Sequence, residues 1–313
     1  MKYPRFLNKN DTIGITAISS GTGDKIKEVK LSLNHLKEDY KLVITPNVYG
    51  DEIVSSSIKT RIDEFNNLLD EDIKAILNIR GGDFSYEVVD ELNFQKIVDK
   101  KLVVQGASDT TSLVYILTTK YDYATLYGFN AKGYDSEVLN KDQLNNLEFL
   151  KGNLIIQKSF HDRIDYSING DFKDSGVIIG GCLDIMRYLF GTNLDGTKKF
   201  INKYKDKKII WYFDIFCMGS VDVYLTLLQM KKLGYFKYSD TFIFGSVLYP
   251  KEECNMTYAD IYKKALGDKN IIVDANIGHV NPRFTILNGS LATITYNNNE
   301  LVLKQELMNE DNG

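Results

Sequence analysis

The chain has 313 residues, of which 43% are hydrophobic, enough for one large domain or two medium-sized domains with real cores. Its 38 basic and 42 acidic residues give a net charge of −4, and no basic run interleaves with aromatic residues, which argues against nucleic acid as a partner. The three cysteines form no C-x-x-C pair, so the sequence indicates neither a disulfide framework nor a zinc site and favours a reduced, cytoplasmic location.

The first half of the chain alternates short apolar runs with amphipathic stretches. Its first residues lack the apolar stretch of a signal peptide, and no later segment has membrane-spanning length, so no membrane partner is expected. Strands are predicted at 12–18, 42–44, 73–79 and 102–104, with helices at 26–36, 58–69 and 86–98. This alternation predicts an α/β fold in which residues 1–140 form an N-terminal domain with a doubly wound, mostly parallel sheet.

The second half begins after a polar, weakly periodic stretch at 141–174 that is predicted to be a linker with some local structure. Strands are predicted at 177–180, 208–213, 241–244 and 271–273, with helices at 183–190, 221–233 and 258–266. The alternating pattern of 285–305, interrupted at Asn297, predicts β-structure at the end. Residues 175–313 are therefore predicted to form a C-terminal mixed α/β domain.

Ser108 follows a predicted strand and precedes an apolar helical run. A strand that leads through Gly106 directly into a helix places Ser108 on a tight turn at the carboxyl edge of the sheet, where open α/β sheets collect their sites. The free N–H groups of that helix would lie where an oxyanion forms. Ser-Asp before a helix is also an ordinary N-cap, and the G-x-S-x-G pattern is not matched, so both interpretations stand.

Two further glycine-containing loops are candidates for a site. Gly81 and Gly82 end a strand, where paired glycines allow backbone N–H groups to approach a ligand, although a plain turn has the same composition. Gly278 precedes His279 in a loop after a strand, a usual place for a base, although a lone loop histidine is often only solvated. Of the other histidines, His35 lies on a predicted surface helix and His161 in the linker.

Asp214 ends the apolar strand that contains Trp211. An acid there could orient an imidazole and fix its tautomer, or it could cap the following turn. Cys182 follows Gly180 and Gly181, and it is interpreted as a buried structural thiol rather than a nucleophile.

Taken in order, these segments resemble the LD-carboxypeptidase family of serine peptidases, which includes muropeptide L,D-carboxypeptidases and microcin C self-immunity peptidases. The segments that resemble family motifs are Arg80-Gly81-Gly82-Asp83, Gly106-Ala107-Ser108-Asp109, Thr125-Leu126-Tyr127-Gly128, Gly180-Gly181-Cys182-Leu183 followed by Gly191-Thr192, and Gly278-His279. Each is weak alone, but their order and spacing make the resemblance specific, and it covers nearly the whole chain.

The resemblance implies a Ser–acid–His triad made of Ser108, Asp214 and His279, with the N–H groups of Gly82 and Asp109 as the oxyanion hole. The family usually has Glu where this chain has Asp214, which is one methylene shorter. It should therefore reach His279 only if the backbone lies closer or a water intervenes, and Asp222 is the alternative acid. Departures at Ala107, at Phe129-Asn130, at Cys182 and in the 281–289 segment concern the substrate.

The resemblance implies hydrolysis of an amide in a small peptide conjugate, above all the L,D bond to the terminal D-Ala of a muropeptide. It also implies a homodimer and requires no metal or organic cofactor. Two alternatives remain: a microcin C-like peptidase that cleaves aminoacyl-nucleotides, and a relative that binds without cleaving. A dinucleotide-binding oxidoreductase is set aside, because Gly21-Thr22-Gly23 lacks the third glycine and the ribose acid.

Overall fold

The computed structural model describes residues 1–160 and 165–308, so that His161 lies outside the described residues. The strands in chain order are β1 (Thr12–Thr16), β2 (Lys41–Ile44), β3 (Ala75–Asn78), β4 (Val103–Gly106), β5 (Thr125–Tyr127), β6 (Gln157–Lys158), β7 (Tyr166–Ser167), β8 (Phe172–Cys182), β9 (Ile209–Asp214), β10 (Ser239–Gly245), β11 (Asn270–Ala275), β12 (Ile286–Asn288), β13 (Leu291–Asn297) and β14 (Glu300–Glu306). The α-helices are α1 (Ile26–Asp39), α2 (Ile58–Leu68), α3 (Phe94–Asp99), α4 (Thr111–Tyr121), α5 (Lys141–Leu150), α6 (Leu183–Leu189), α7 (Thr197–Lys203), α8 (Ser220–Lys232) and α9 (Tyr258–Leu266).

The strands form two sheets. The first has the order β12-β5-β4-β3-β1-β2, and its pairs are parallel except that β12 runs antiparallel to β5. The second has the order β6-β14-β13-β8-β9-β10-β11-β7, with a parallel centre from β8 to β11 and antiparallel strands on both sides. The predicted fold class, a doubly wound parallel sheet followed by a mixed α/β part, is confirmed.

The local reasons for these elements are visible in the sequence. Val29, Leu33 and Leu36 of α1 recur at helical spacing and are buried. The β13–β14 hairpin turns through Asn298 and Asn299, both with positive φ, the conformation that tight two-residue hairpin turns require.

The helix predicted at 86–98 is only partly present. Two short 3-10 turns occupy Ser85–Glu87 and Val89–Glu91, and α-helix begins only at Phe94. Asn93 explains the restart, because its side chain accepts a hydrogen bond from Lys96 N and caps α3.

Segments that follow residue 140 contribute to the first sheet and to its core. Helix α5 lies inside the predicted linker, and its Phe149 and Leu150 are buried in the same core as Leu77 and Leu126 of the first sheet. Strand β12 comes from the C-terminal half but pairs with β5 in the first sheet. The domain bounds 1–140 and 175–313 therefore stay predictions, and the structure adds that one strand of the second half, β12, completes the first sheet.

Within residues 1–160 and 165–308, no helix is both long enough and apolar enough to cross a bilayer.

Candidate active site

Ser108 lies on a strained turn between β4 and α4. Its φ is +59°, a value that few non-glycine residues adopt, whereas Ala107 before it is fully extended. This conformation reverses the chain sharply at the carboxyl end of β4. Ser108 is half-exposed and lines a cavity of about 430 Å³. A serine on such a turn is typical of nucleophiles in α/β hydrolases.

Asn130 holds this turn from the side. Its Oδ1 accepts hydrogen bonds from Ala107 N at 3.2 Å and Thr110 Oγ1 at 3.0 Å, and its Nδ2 donates to Ala107 O at 3.2 Å. A Cβ on Gly106 would lie 2.4 Å from Thr110 Cγ2, so only glycine fits below the turn. The turn is thus fixed without using the Ser108 hydroxyl.

Asp214 and His279 form a direct pair. His279 Nδ1 lies 2.8 Å from Asp214 Oδ2 and 3.0 Å from Oδ1, and the His279 backbone N–H donates to Oδ1 at 3.2 Å. Asp214 is fully buried at the end of β9. Because an ionised carboxylate only accepts hydrogen bonds, Nδ1 carries the proton and Nε2 is left as the basic nitrogen.

The shorter acid reaches the histidine because the backbone lies close. Gly278 has φ +87°, and a Cβ on it would lie only 1.9 Å from Asp214 Oδ1. The loop before His279 therefore packs directly on the carboxylate. The two sequence expectations were a closer backbone or an intervening water, and the structure has the closer backbone.

Tyr127 connects the pair to the serine turn. Its hydroxyl donates to Asp214 Oδ2 at 2.5 Å and accepts from Ser108 N at 3.3 Å. Burial, with a smaller contribution from Asp214, raises the pKa of Tyr127 well above its ordinary value. The hydroxyl therefore stays protonated and remains a donor to the carboxylate.

The glycine loop after β3 passes beside Ser108. A Cβ on Gly81 would lie 2.7 Å from Ser108 Cβ and 2.8 Å from Ser108 Oγ. A Cβ on Gly82 (φ +139°) would lie 2.4 Å from the hydroxyls of Ser19 and Ser20. In the described part of the chain, the Gly82 N–H has no backbone acceptor. Since Gly82 lines the same cavity as Ser108, this N–H is available to an anion bound there.

Asp109 contributes to the turn in a different way from Ser108. Its buried carboxyl accepts hydrogen bonds from Ser85 N at 2.8 Å and Ser85 Oγ at 2.6 Å. Burial raises the pKa of this carboxyl. The Asp109 side chain thus anchors the turn to the loop after β3, while its backbone N–H lies in the first helical turn, where N–H groups lack an intrahelical partner.

Most of the predicted residues meet at one cavity. Ser108, Gly82 and His279 line it, Asp214 lies behind His279, and Asp109 lies beneath Ser108. Among the described residues, no hydrogen bond joins Ser108 to His279, and the predicted pairing of the two stays a prediction.

The other candidates lie apart or have other contacts. Asp222 is exposed and faces Arg187 at 3.8 Å, and His35 contacts Glu38 and the Ser136 carbonyl. Cys182 is buried, and burial raises the pKa of its thiol, so it is not a thiolate at neutral pH. Ligand atoms of Cys182, Asp214 and His279 do lie within 4.8 Å of one another, but the acid and the imidazole already bind each other.

Sequence reasoning assigned no role to Tyr127, Asn130 or Arg283, although it noted the segments that contain them. Tyr127 and Asn130 lie at or just after the carboxyl end of β5, next to β4 in the sheet. Polar residues at this edge could have been recognised as neighbours of Ser108 if β5 had been predicted.

Comparison with models of known protein families identifies the family to which this chain belongs. Residues 13–128 match the LD-carboxypeptidase N-terminal domain, and residues 175–294 match the LD-carboxypeptidase C-terminal domain. The chain belongs to the LD-carboxypeptidase family, as the sequence resemblance predicted.

The individual proteins that resemble this chain have low sequence identity to it or match only a short part of it. The microcin C7 self-immunity protein MccF of Escherichia coli is 36% identical over 75 residues, which span 24% of this chain and only 22% of that protein. A structure of MccF in complex with aspartyl sulfamoyl adenosine has a TM-score of 0.80 at 18% identity, covering 99% of both chains. A muramoyltetrapeptide carboxypeptidase from Oxalobacter formigenes has a TM-score of 0.78 at 16% identity, covering 95% of this chain and 100% of that one. These structural similarities show the shared fold.

Proposed function

We propose that the protein is a serine peptidase in which Ser108 is the nucleophile, His279 the base and Asp214 the acid that orients the base. One observation carries the proposal: a histidine bonded to a fully buried carboxylate lines the same cavity as a serine held on a strained turn. This is the set of roles that defines a catalytic triad, whatever the fold.

The proposed reaction follows from these positions. His279 Nε2 takes the proton of the Ser108 hydroxyl as Oγ attacks the amide carbonyl, and the N–H groups of Gly82 and Asp109 bind the resulting oxyanion. The C–N bond then breaks as His279 returns the proton to the leaving amine. Water, deprotonated by His279, hydrolyses the acyl-enzyme and restores Ser108.

We propose a small peptide conjugate as substrate, with the L,D bond to the terminal D-Ala of a cytosolic muropeptide as the first candidate. A cavity of about 430 Å³ fits a short peptide end rather than a folded protein. A structural relative is a muramoyltetrapeptide carboxypeptidase, which supports this candidate. The cytoplasmic location and the homodimer inferred from the sequence are part of the proposal.

The test is release of free D-Ala from a muropeptide tetrapeptide. We expect wild-type protein to release it and Ser108→Ala to lose release by at least about a thousandfold. Intact release by Ser108→Ala would contradict the proposed nucleophile. If folded wild-type protein releases no D-Ala, the substrate must be a peptide conjugate other than this muropeptide.

The second candidate substrate is an aminoacyl-nucleotide. The observation that favours it is an aromatic surface beside the proposed base. The ring centroids of Phe216 and His279 lie 4.6 Å apart. Tyr249, whose side chain is 61% exposed, packs edge-on against Phe216. A nucleobase can stack on such a surface. Tyr249→Ala should raise the KM for an aminoacyl-nucleotide and leave that for a muropeptide unchanged.

The remaining alternative, binding without cleavage, is tested by a fluorophosphonate probe. Labelling of wild type that is lost in Ser108→Ala would require an activated serine and would exclude a silent site.

A further inference from the structure

Arg283 lies on the wall of the cavity that also contains Ser108 and His279. Its Nη1 donates to Gly278 O at 3.0 Å, and its Nη2 donates to Asn281 Oδ1 at 3.1 Å. The guanidinium carbon lies 4.3 Å from the centroid of the Phe129 ring. Each of these partners is uncharged, so the guanidinium is held in place without being neutralised.

The charge of Arg283 is left without a direct counter-ion. Within the described residues it forms no ion pair, and its Nε is buried without an acceptor. The nearest interaction with Asp142 uses the Arg283 backbone N–H, which donates to Oδ2 at 3.1 Å. Burial lowers the pKa of the guanidinium, with Asp214 and Asp142 acting in the opposite direction. An unpaired, desolvated cation is costly for a folded protein, and an anionic ligand relieves that cost.

The two other basic side chains that line the cavity, Lys132 and Arg80, differ from each other. Lys132 forms an ion pair with Asp135 at 2.9 Å, and so its charge is already balanced. Arg80 donates to the Gly21 carbonyl at 3.3 Å and lies on the glycine loop beside Ser108. Arg283 therefore differs from Lys132 in being a half-buried cation with neutral partners only, and from Arg80 in being held by two hydrogen bonds and an aromatic ring.

We propose that Arg283 binds an anionic group of the substrate, a carboxylate or a phosphate, while the scissile amide lies at Ser108. The planar fork of a guanidinium matches both anions and binds them with two parallel hydrogen bonds. The contact with the Phe129 ring helps to hold the guanidinium in place. The inference rests on the proposed function and narrows it: the substrate carries a negative charge near the bond that is cut.

The test is calorimetric titration in the Ser108→Ala background, where no turnover occurs. The probes are N-acetyl-D-alanine for the carboxylate and AMP for the phosphate, each compared with its neutral counterpart, N-acetyl-D-alaninamide or adenosine. At least one anion should bind Ser108→Ala about tenfold or more tightly than its neutral counterpart, and which one binds identifies the anion. Adding Arg283→Gln should reduce that affinity to the level of the neutral compound.

The matched control is Lys132→Gln in the same background, which removes a cavity cation already paired with Asp135. Its anion affinity should stay within about twofold of the parent. Arg283→Lys keeps the charge but loses the fork, and should give an intermediate affinity. Thermal unfolding midpoints of all variants establish that the fold is retained.

The inference fails if the anion and its neutral counterpart bind alike, if neither anion binds at millimolar concentration, or if Arg283→Gln leaves anion affinity unchanged. If Arg283→Gln lowers the affinity for neutral and anionic ligands equally, Arg283 only supports the His279 loop, and the inference is also overturned. Since calorimetry needs no chemistry, these outcomes are separate from a failure of Ser108 to react with a fluorophosphonate, which would count against the proposed function alone.

Discussion

At the scale of single residues, the Tyr127 hydroxyl is the group that touches both the serine turn and the acid. It donates to Asp214 and accepts from Ser108 N. A hydrogen bond to a carboxylate contributes about 1.5–3 kcal/mol, and here it helps to hold the Asp214 carboxylate against the imidazole. Tyr127 is therefore a positioning residue in our proposal, acting through Asp214 and the Ser108 backbone.

Tyr127→Phe should lower kcat by about tenfold or more, with little change in KM, because the ring still fills its buried site while the hydroxyl contacts are lost. Without that donor, the Asp214 carboxylate stabilises the protonated imidazole more strongly. The acidic limb of the kcat profile should then move to higher pH, as measured by hydrolysis rates across pH.

The chain offers a matched control for this variant. Tyr212 is also a fully buried strand tyrosine, but its hydroxyl donates to Asn288 Oδ1 at 2.9 Å, away from the acid–base pair. Tyr212→Phe should keep the wild-type pH profile. Equal shifts in both variants would contradict a specific role for Tyr127.

The acid itself gives a second prediction at this scale. Asp214→Glu introduces the usual family residue, yet we expect activity to fall by at least about tenfold rather than rise, because the Gly278 backbone leaves no room for another methylene. Hydrolysis rates of Asp214→Glu and Asp214→Asn should both be low. A Glu variant at least as active as wild type would show that the loop adapts, contrary to this expectation.

At the scale of elements, the turn from β4 to α4 depends on a side chain from another segment. Asn130 makes three hydrogen bonds to residues of this turn. They compensate for the strained φ of Ser108, which by itself costs about 1–3 kcal/mol.

Asn130→Ala should lower the free energy of unfolding by about 1–3 kcal/mol, because buried groups of Ala107 lose their partners. It should also lower the rate of fluorophosphonate labelling at Ser108, since the serine would leave its strained position more readily. Urea unfolding and labelling rates measure the two effects. Reduced stability with an unchanged labelling rate would mean that the turn holds its shape without Asn130.

Elements were predictable where a single periodicity covers them. The predicted helix 258–266 coincides with α9, where Tyr258, Ile261 and Tyr262 are buried and Thr257 closes a capping box. Strand β5 was not predicted, because it has only three residues and depends on pairing with β4 and β12. Strand β12 lies within the β-structure predicted at 285–305, but its place in the first sheet was not predicted.

The residues of the candidate site could be predicted only in part. Glycine, serine and histidine in the turns of this chain resemble family motifs and could be named from the sequence, whereas the contacts of Tyr127 and Arg283 depend on how distant segments meet. No local pattern shows that the Tyr127 hydroxyl reaches Asp214, which is 87 positions away along the chain. The catalytic roles of the named residues stay predictions until they are measured.

At the scale of the whole molecule, the two sheets are joined by β12 and by a core that includes side chains of both. Val104 and Leu113 belong to the same buried cluster as Trp211 and Phe213. We therefore expect both sheets to lose their structure together.

Unfolding in urea should follow one cooperative transition. Trp211 is the sole tryptophan and lies on β9 in the second sheet, so its fluorescence reports that sheet, while far-UV circular dichroism reports both sheets. The two curves should have the same midpoint. Separate midpoints would show that the N-terminal and C-terminal parts unfold independently. That the protein is a homodimer stays a prediction, and sedimentation equilibrium would measure its oligomeric state.

The position of Cys217 affects how inhibitors of this protein should be interpreted. Cys217 is exposed and follows Phe216, whose ring packs on His279, while the buried Cys182 is shielded from solvent. The Cys217 thiol contacts Asp184 Oδ1 at 3.5 Å, and we expect a maleimide or iodoacetamide adduct there to disturb the neighbouring Phe216 and slow hydrolysis without touching the reacting atoms. Inactivation by thiol reagents would thus imitate a cysteine peptidase. Cys254 is also exposed, so the double variant Cys217→Ser with Cys254→Ser is the one in which inhibitor profiling reports the nucleophile.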